Sequence, residues 1–129
     1  MEHLTLNLLP QTFMIIRLAP NQPIPAWAMN GAFSSITRTH DELSIVCEQR
    51  LIPRGLLAEG DRRAFMVQGP LDFSLTGILS ALSGALARAS VSIFAISTYD
   101  TDYILVQQQD LERASAALRE AGCTLRIEA

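Results

Sequence analysis

The sequence contains no lysine, so all ten of its fixed positive side chains are arginine. They are scattered from Arg17 to Arg126, and only Arg62 and Arg63 are adjacent. With a formal net charge of −3, there is no basic stripe, and a nucleic-acid partner is not expected. Histidine is scarce: His3 and His40 are the only two. Neither makes an H-x-x-x-H pair or a Cys–His cluster, so no metal is expected. Of the two cysteines, Cys47 and Cys123, neither lies in a C-x-x-C. They read as buried thiols of a protein in a reducing cytoplasm. Gly69, Gly77 and Gly84 form neither a G-x-G-x-x-G nor a P-loop, so no nucleotide cofactor, and no cofactor of another kind, is expected.

Catalytic signatures are missing too. There is no G-x-S-x-G elbow, and an adjacent His40-Asp41 pair in a turn cannot orient one another with Ser34 as a triad does. Missing lysine, scarce histidine and the lack of a nucleophile motif argue against an enzyme of the ferredoxin-like class. The N-terminal stretch MEHLTLNLLPQTF carries an acidic residue and no basic region, so a signal peptide is not expected. The longest apolar-rich stretch, Leu75 to Ala89, is broken by serines, glycines and Arg88, and it is too short and polar to span a bilayer.

What is present is a globular composition, 49% hydrophobic and 18% charged over 129 residues. Leu4, Leu6 and Leu8 alternate with Thr5 and Asn7 as in a half-buried strand. Phe13 to Leu18 is a second strand. Pro20, Pro23 and Pro25 then leave room for about one helical turn around Ala26–Met29. Phe33 to Arg38 and Leu43 to Glu48 read as a pair of strands about a His40-Asp41 turn, with Leu43, Ile45 and Cys47 on one face and Ser44, Val46 and Glu48 on the other. LIPRGLLAEGD reads as a connector. Ala64 to Gln68 is a buried strand. A helix capped near Ser74 runs to Ala89, with Leu75, Ile78, Leu79, Leu82 and Leu86 at helical spacing. Gly77 and Gly84 on it allow close approach to a sheet. Strands follow at Val91–Ile96 and Tyr103–Val106. Asp110 is placed to cap a second helix, with Leu111, Ala114, Ala117 and Leu118 inward. Gly122 sits where a helix ends, and Thr124–Ile127 closes the chain.

The second half thus reads β-α-β-β-α-β, a ferredoxin-like unit with two helices on one face of a four-stranded antiparallel sheet. Such a unit alone would be marginal. The first half repeats the order with a shrunken first helix. The fold class is therefore α+β: two ferredoxin-like βαββαβ units in tandem, the first degenerate, with a boundary between residues 1–62 and 63–129.

Three pieces carry a family resemblance. They are the loop Gly69-Pro70-Leu71-Asp72-Phe73, the strand start Val91-Ser92-Ile93, and the run Ser97-Thr98-Tyr99-Asp100-Thr101-Asp102 leading into Tyr103-Ile104-Leu105-Val106. They resemble the ACT domains of CASTOR-type cytosolic arginine sensors and of small bacterial ACT-like proteins, themselves similar to the regulatory domains of aspartate kinase. Ser34–Thr39 with Asp41–Val46 resembles the first, degenerate ACT unit of the small bacterial proteins.

The resemblance implies a non-catalytic regulatory protein that binds a small effector, an amino acid first among the candidates, in the cytoplasm. The expected binding residues are Leu71, Asp72, Phe73 and Ser74 on the loop, Ser92 and Ile93 on the strand start, and Thr98, Tyr99, Thr101 and Asp102 on the hairpin. Backbone N–H groups from Phe73 to Thr76 at the helix start suit a carboxylate, and Asp72, Asp102 and the Ser92-Ile93 edge suit an ammonium. The related pocket uses two pairs of ACT units, so a two-unit chain is expected to form a homodimer, and a protein partner is a further possibility. Blander readings stand beside these. Asp72, Asp100 and Asp102 also serve turns, and threonines commonly border hairpins. Trp27 reads as a cover on a core edge, and Arg38 as part of a solvated strand face. A ligand-free interaction module acting through ACT–ACT contacts is the alternative function.

Overall fold

The computed structural model describes residues 4–56, 58–69 and 76–128. Their order is β1 (Thr5–Leu8), β2 (Phe13–Leu18), a 3₁₀ turn (Ala26–Met29), β3 (Ser34–Arg38), β4 (Leu43–Glu48), a 3₁₀ turn (Gln49–Leu51) and β5 (Ala58–Val67). Then come α1 (Ile78–Arg88), β6 (Ile93–Ser97), β7 (Asp102–Gln107), a 3₁₀ turn (Gln108–Asp110), α2 (Leu111–Glu120) and β8 (Thr124–Ile127). This is an α+β fold. The chain divides into two compact units: one is Gln11–Arg62, and the other joins the residues before Gln11 to those after Arg62. β1 therefore counts with the second half of the chain, whereas the sequence places it in the first.

In the Gln11–Arg62 unit the strand order is β3-β4-β2-β5, and the pairs are antiparallel. Ile16, Ala28, Leu43, Ile45 and Cys47 form its core, with Trp27, Ile36, Ile52 and Ala58 packed against them. Trp27 thus covers a core edge, as the proline-rich segment suggests. The connector expected over LIPRGLLAEGD is shorter than its composition implies, because Ala58 to Asp61 already belong to β5. The pairing slips between Phe13 and Ile15, so Gly60 and Asp61 make a bulge instead of ending the strand. Asp61 takes a positive φ of 56°. The Gln49 amide holds it twice: Asp61 N donates to Oε1 at 2.9 Å, and Nε2 donates to Oδ1 at 3.1 Å.

The second face of β4 is not solvated. Val46 and Glu48, on the face opposite Leu43, Ile45 and Cys47, are 2% and 3% exposed. Burial of a carboxylate demands partners. Glu48 accepts the Ala32 N–H at 2.6 Å on Oε2 and pairs with Arg50 Nε at 3.0 Å on Oε1. The turn that brings Ala32 there needs Gly31 at φ +86°, where a Cβ would lie 2.2 Å from Glu48 Oε2.

In the other unit the strand order is β6-β7-β5-β1-β8. An entirely antiparallel sheet is not what forms: β1 is antiparallel to β5 but parallel to β8, with Leu6 opposite Val67 on one side and Leu125 on the other. The sheet is mixed. The cause is topological. A βαββαβ unit sets its last strand antiparallel to its first, so a strand inserted between them must run parallel to one of the two. Leu6, Leu8, Phe65, Val67, Ile104 and Val106 alternate onto one face, where Leu82 and Leu86 of α1 and Ala114 and Leu118 of α2 complete the core. Both helices thus cover that face.

The helix termini differ in detail from expectation. α1 begins at Ile78, with Gly77 at its N-cap in the left-handed region. Ser74, the expected cap, and Leu75 lie outside the described residues. Gly77 and Gly84 do not face the sheet: a Cβ at Gly77 would meet nothing within 4 Å, and one at Gly84 only the Arg88 guanidinium. Asp110 occupies the N-cap of α2 but makes no side-chain bond to the helix backbone. It accepts Arg113 Nη2 at 2.9 Å instead.

Both helices end in the same motif. In α2, Gly122 N donates to Arg119 O and Cys123 N to Leu118 O. In α1, Ser90 N donates to Ala87 O and Val91 N to Leu86 O. These are Schellman ends, and each needs one left-handed residue. Gly122 supplies it in α2 and Ser90, at φ 61°, in α1. The two cysteines are buried, and burial pushes both thiols up, Glu48 adding to the effect at Cys47.

Two stability predictions follow from these geometries. A left-handed L-residue costs about 1–2 kcal/mol, while glycine adds unfolded-state entropy worth about 0.4–1 kcal/mol. Ser90→Gly is therefore expected to stabilise by roughly 0.5 kcal/mol, seen as a higher urea midpoint at unchanged slope. Gly31→Ala is expected to lose at least the left-handed cost of about 1–2 kcal/mol, because the clash with Glu48 adds to it. Thermal unfolding should then begin several degrees lower; an unchanged melting temperature would contradict the Glu48 anchor.

Candidate functional site

β6 and β7 are joined by Ser97-Thr98-Tyr99-Asp100-Thr101-Asp102, and this hairpin is closed almost wholly by its own side chains. Thr98 N donates to Thr101 O at 2.8 Å. The Thr98 hydroxyl donates to Thr101 O at 3.0 Å and accepts Thr101 N–H at 3.2 Å. Below the turn, Ser97 Oγ donates to Asp102 Oδ1 at 2.6 Å. Short polar side chains compete well for nearby backbone groups, and Thr98 does so here on both polar groups of Thr101.

Thr101 does more than close the turn. It is 8% exposed, and its hydroxyl donates to Val67 O at 2.5 Å. Val67 is the last residue of β5. The hairpin is thereby tied to the end of β5. Tyr99, by contrast, stands 80% exposed at the tip. Burial pushes the phenol of Tyr103 up, and the Asp100 and Glu128 carboxylates add to that.

The expected binding residues fall into separate places. Thr98, Tyr99, Thr101 and Asp102 share the hairpin beside the end of β5. Leu71, Asp72, Phe73 and Ser74 lie outside the described residues. Ser92 and Ile93 sit at the opposite end of β6, about 13 Å along the strand from Ser97 at roughly 3.3 Å per residue. Ser92 is exposed and Ile93 half-buried. The chain itself does not bring Ser92 and Ile93 to the hairpin. Thr101 offers its hydroxyl inward, and Thr98 spends its own on the turn.

Sequence reasoning missed the Glu48 anchor. Its depression of about 670 Å³ is lined by Gln11, Thr12, Glu48, Gln49, Arg50 and Asp61. The only signal was the pair Glu48 and Arg50 flanking a strand end. A second depression, about 690 Å³, holds Pro20, Asn21, Arg38, Thr39 and His40. There Arg38 is tied to the carbonyls of Pro20 and Gln22, and the His40-Asp41 turn is closed by Thr39 Oγ1, which accepts from Asp41 N and Glu42 N. Among the described residues no group of three or more His, Cys, Asp or Glu side chains is placed to hold a metal ion, and no helix is long and apolar enough to cross a membrane.

Comparison with known proteins bears on the family and the fold. The ACT domain model matches residues 57–120, and the model of another family's N-terminal domain matches residues 11–55. Protein Atu0741 from Agobacterium tumefaciens is 40% identical, with a TM-score of 0.93 over 100% of this chain and 96% of that one. VC0802 from Vibrio cholerae, a protein of unknown function described as a possible transport protein, is 19% identical, with a TM-score of 0.76 over 92% of this chain and 90% of its own. The ligand-free regulatory subunit of aspartate kinase from Thermus thermophilus is 12% identical, with a TM-score of 0.60 over 86% and 92% of the two chains. The last two likenesses are of fold. No curated protein matches. The chain belongs to the ACT-domain family.

Proposed function

We propose that this protein is a non-catalytic cytoplasmic regulator that binds a small effector, an amino acid first among the candidates, as a homodimer. The observation that carries this reading is the Thr101–Val67 bond. It holds the hairpin that carries Thr98, Tyr99, Thr101 and Asp102 at the end of β5, the strand that precedes Leu71 to Ser74 in the sequence. Ser92 and Ile93 lie at the far end of β6. An effector that also touches them takes them from a second copy, which makes dimerisation part of the site. Binding then favours whichever dimer geometry aligns the two halves.

The strand orders support the tandem reading. In Gln11–Arg62 the order β3-β4-β2-β5 is that of a ferredoxin-like sheet, with 3₁₀ turns of four and three residues in the helix positions. In the other unit β6-β7-β5-β1-β8 is the same order with β1 inserted. We read the first as an ACT unit that has lost its helices.

The inward Thr101 hydroxyl favours the second reading, a ligand-free interaction module, because it removes one expected polar contact. A thermal-shift panel of the twenty amino acids and their biosynthetic precursors separates the two. A ligand at about 100 times its dissociation constant adds roughly 2.7 kcal/mol, several degrees for a chain of this size. One or a few clear shifts are expected. Asp72→Ala and Asp102→Ala should then weaken that ligand at least tenfold, as loss of a charge-assisted bond does. A flat panel on folded dimer sinks the effector reading and leaves the interaction module.

A further inference from the structure

The last turn of α1 leads directly into Ser92 and Ile93, and one side chain from another element controls that passage. Arg113, in the first turn of α2, donates from Nε to Ala89 O at 2.9 Å and from Nη2 to Ser90 O at 3.2 Å. These are carbonyls at the end of α1, where backbone acceptors lack helical partners and the helix dipole favours a cation. The same Nη2 donates to Asp110 Oδ1 at 2.9 Å, and Asp110 is 8% exposed. A planar guanidinium with its donors in a fixed fork can hold two successive carbonyls and a carboxylate at once; an ammonium on a flexible stem cannot reproduce that geometry.

The residue being held is unusual. Ser90 carries a positive φ of 61° without being glycine, a conformation that persists where its surroundings over-determine it. Its amide and that of Val91 close the Schellman end on Ala87 O and Leu86 O, Val91 is 5% exposed, and the next residues are Ser92 and Ile93. Arg113 explains how a serine holds the place where α2 uses Gly122.

We propose that Arg113 is a positioning residue for the effector site. It clamps the Ala89-Ser90 carbonyls so that Ser92 and Ile93 are presented in one orientation, and through Asp110 it couples that orientation to the start of α2. This rests on the effector reading above. Arg113 itself touches no effector in this scheme; it acts through the backbone.

Amide hydrogen exchange on the intact chain, with Arg113→Ala and Arg113→Lys beside wild type, tests the clamp without any ligand. The Ser90 and Val91 amides are expected to exchange at least tenfold faster in Arg113→Ala, with Ile104 to Val106 in β7 unchanged, and Arg113→Lys should recover little of the protection. Equal acceleration in β6 and β7, or none at Ser90 and Val91, overturns the clamp. The positioning role is tested by isothermal titration with whichever amino acid shifts the wild-type melting temperature. At least a tenfold weaker dissociation constant is expected for Arg113→Ala, and an unchanged constant despite a loosened Ser90 overturns it. If wild type binds none of the amino acids, the effector reading and the positioning role fail together, while the exchange result still decides whether the clamp exists.

Discussion

The strand Thr5–Leu8 is held on both sides, and it joins β8, the last strand of its unit, to β5. Its inner residues, Leu6 and Leu8, lie in the middle of the cluster that both helices cover. On one side it pairs with β5, on the other with β8. The ladder is extended by Thr124 N on Leu4 O and Glu128 N on Leu8 O. Strands of four residues have little stability of their own. β8 reaches the sheet only by way of β1 and is anchored otherwise by α2. Since β1 and β8 come from opposite ends of the sequence, their pairing is about as non-local as the chain allows. The closure entropy of such a contact grows only slowly with length, but the search for it is slow. The sheet is therefore expected to complete late and as a whole.

The end of β5 that is fixed in this way is also where the functional reading has its centre. Val67 opposes Leu6 in the ladder, and its carbonyl receives the Thr101 hydroxyl. One backbone residue thus ties β1, β5 and the β6–β7 hairpin together at the end of β5. A site assembled there starts from ordered neighbours, so less ordering entropy is charged against binding. The remote Ser92-Ile93 pair is held by separate means, at the end of α1.

Much of this architecture is legible in the residues. The helical spacing of Ile78, Leu79, Leu82 and Leu86 shows α1 and its inward face, and Ala114 with Leu118 shows the face of α2. Gly122 marks the end of α2 for the physical reason the structure uses. What was not legible depends on partners that spacing cannot name. Alternation in Leu4-Thr5-Leu6-Asn7-Leu8 announces a strand but not the slot between β5 and β8, which decides that the sheet is mixed. Alternation puts Glu48 on the face opposite Leu43, Ile45 and Cys47 but cannot say that this face is buried too; the carboxylate is held there by Ala32 N and Arg50. Gly60-Asp61 has the composition of a turn, and only Gln49, which follows β4, makes it a bulge. The hairpin residues were legible as a cluster, but the inward direction of Thr101 was not, since nothing local distinguishes it from Thr98.

The two units differ in what covers their strands, and under the effector reading that difference bears on where function sits. Each helix of ten or eleven residues places two or three side chains in the buried set: Leu82, Ala85 and Leu86 from α1, Ala114 and Leu118 from α2. The four-residue 3₁₀ turn places only Ala28, and the three-residue turn Gln49–Leu51 places none. The Gln11–Arg62 core is correspondingly small, in a segment below the size at which a domain is comfortably stable by itself. Having 3₁₀ turns in place of helices also has a chemical consequence. A helix start gathers unpaired N–H groups and a positive dipole end, which suit an anionic ligand group; a three- or four-residue turn offers neither to a comparable degree. Under the effector reading, the unit with α1 and α2 has the means of binding that the Gln11–Arg62 unit lacks among its described residues.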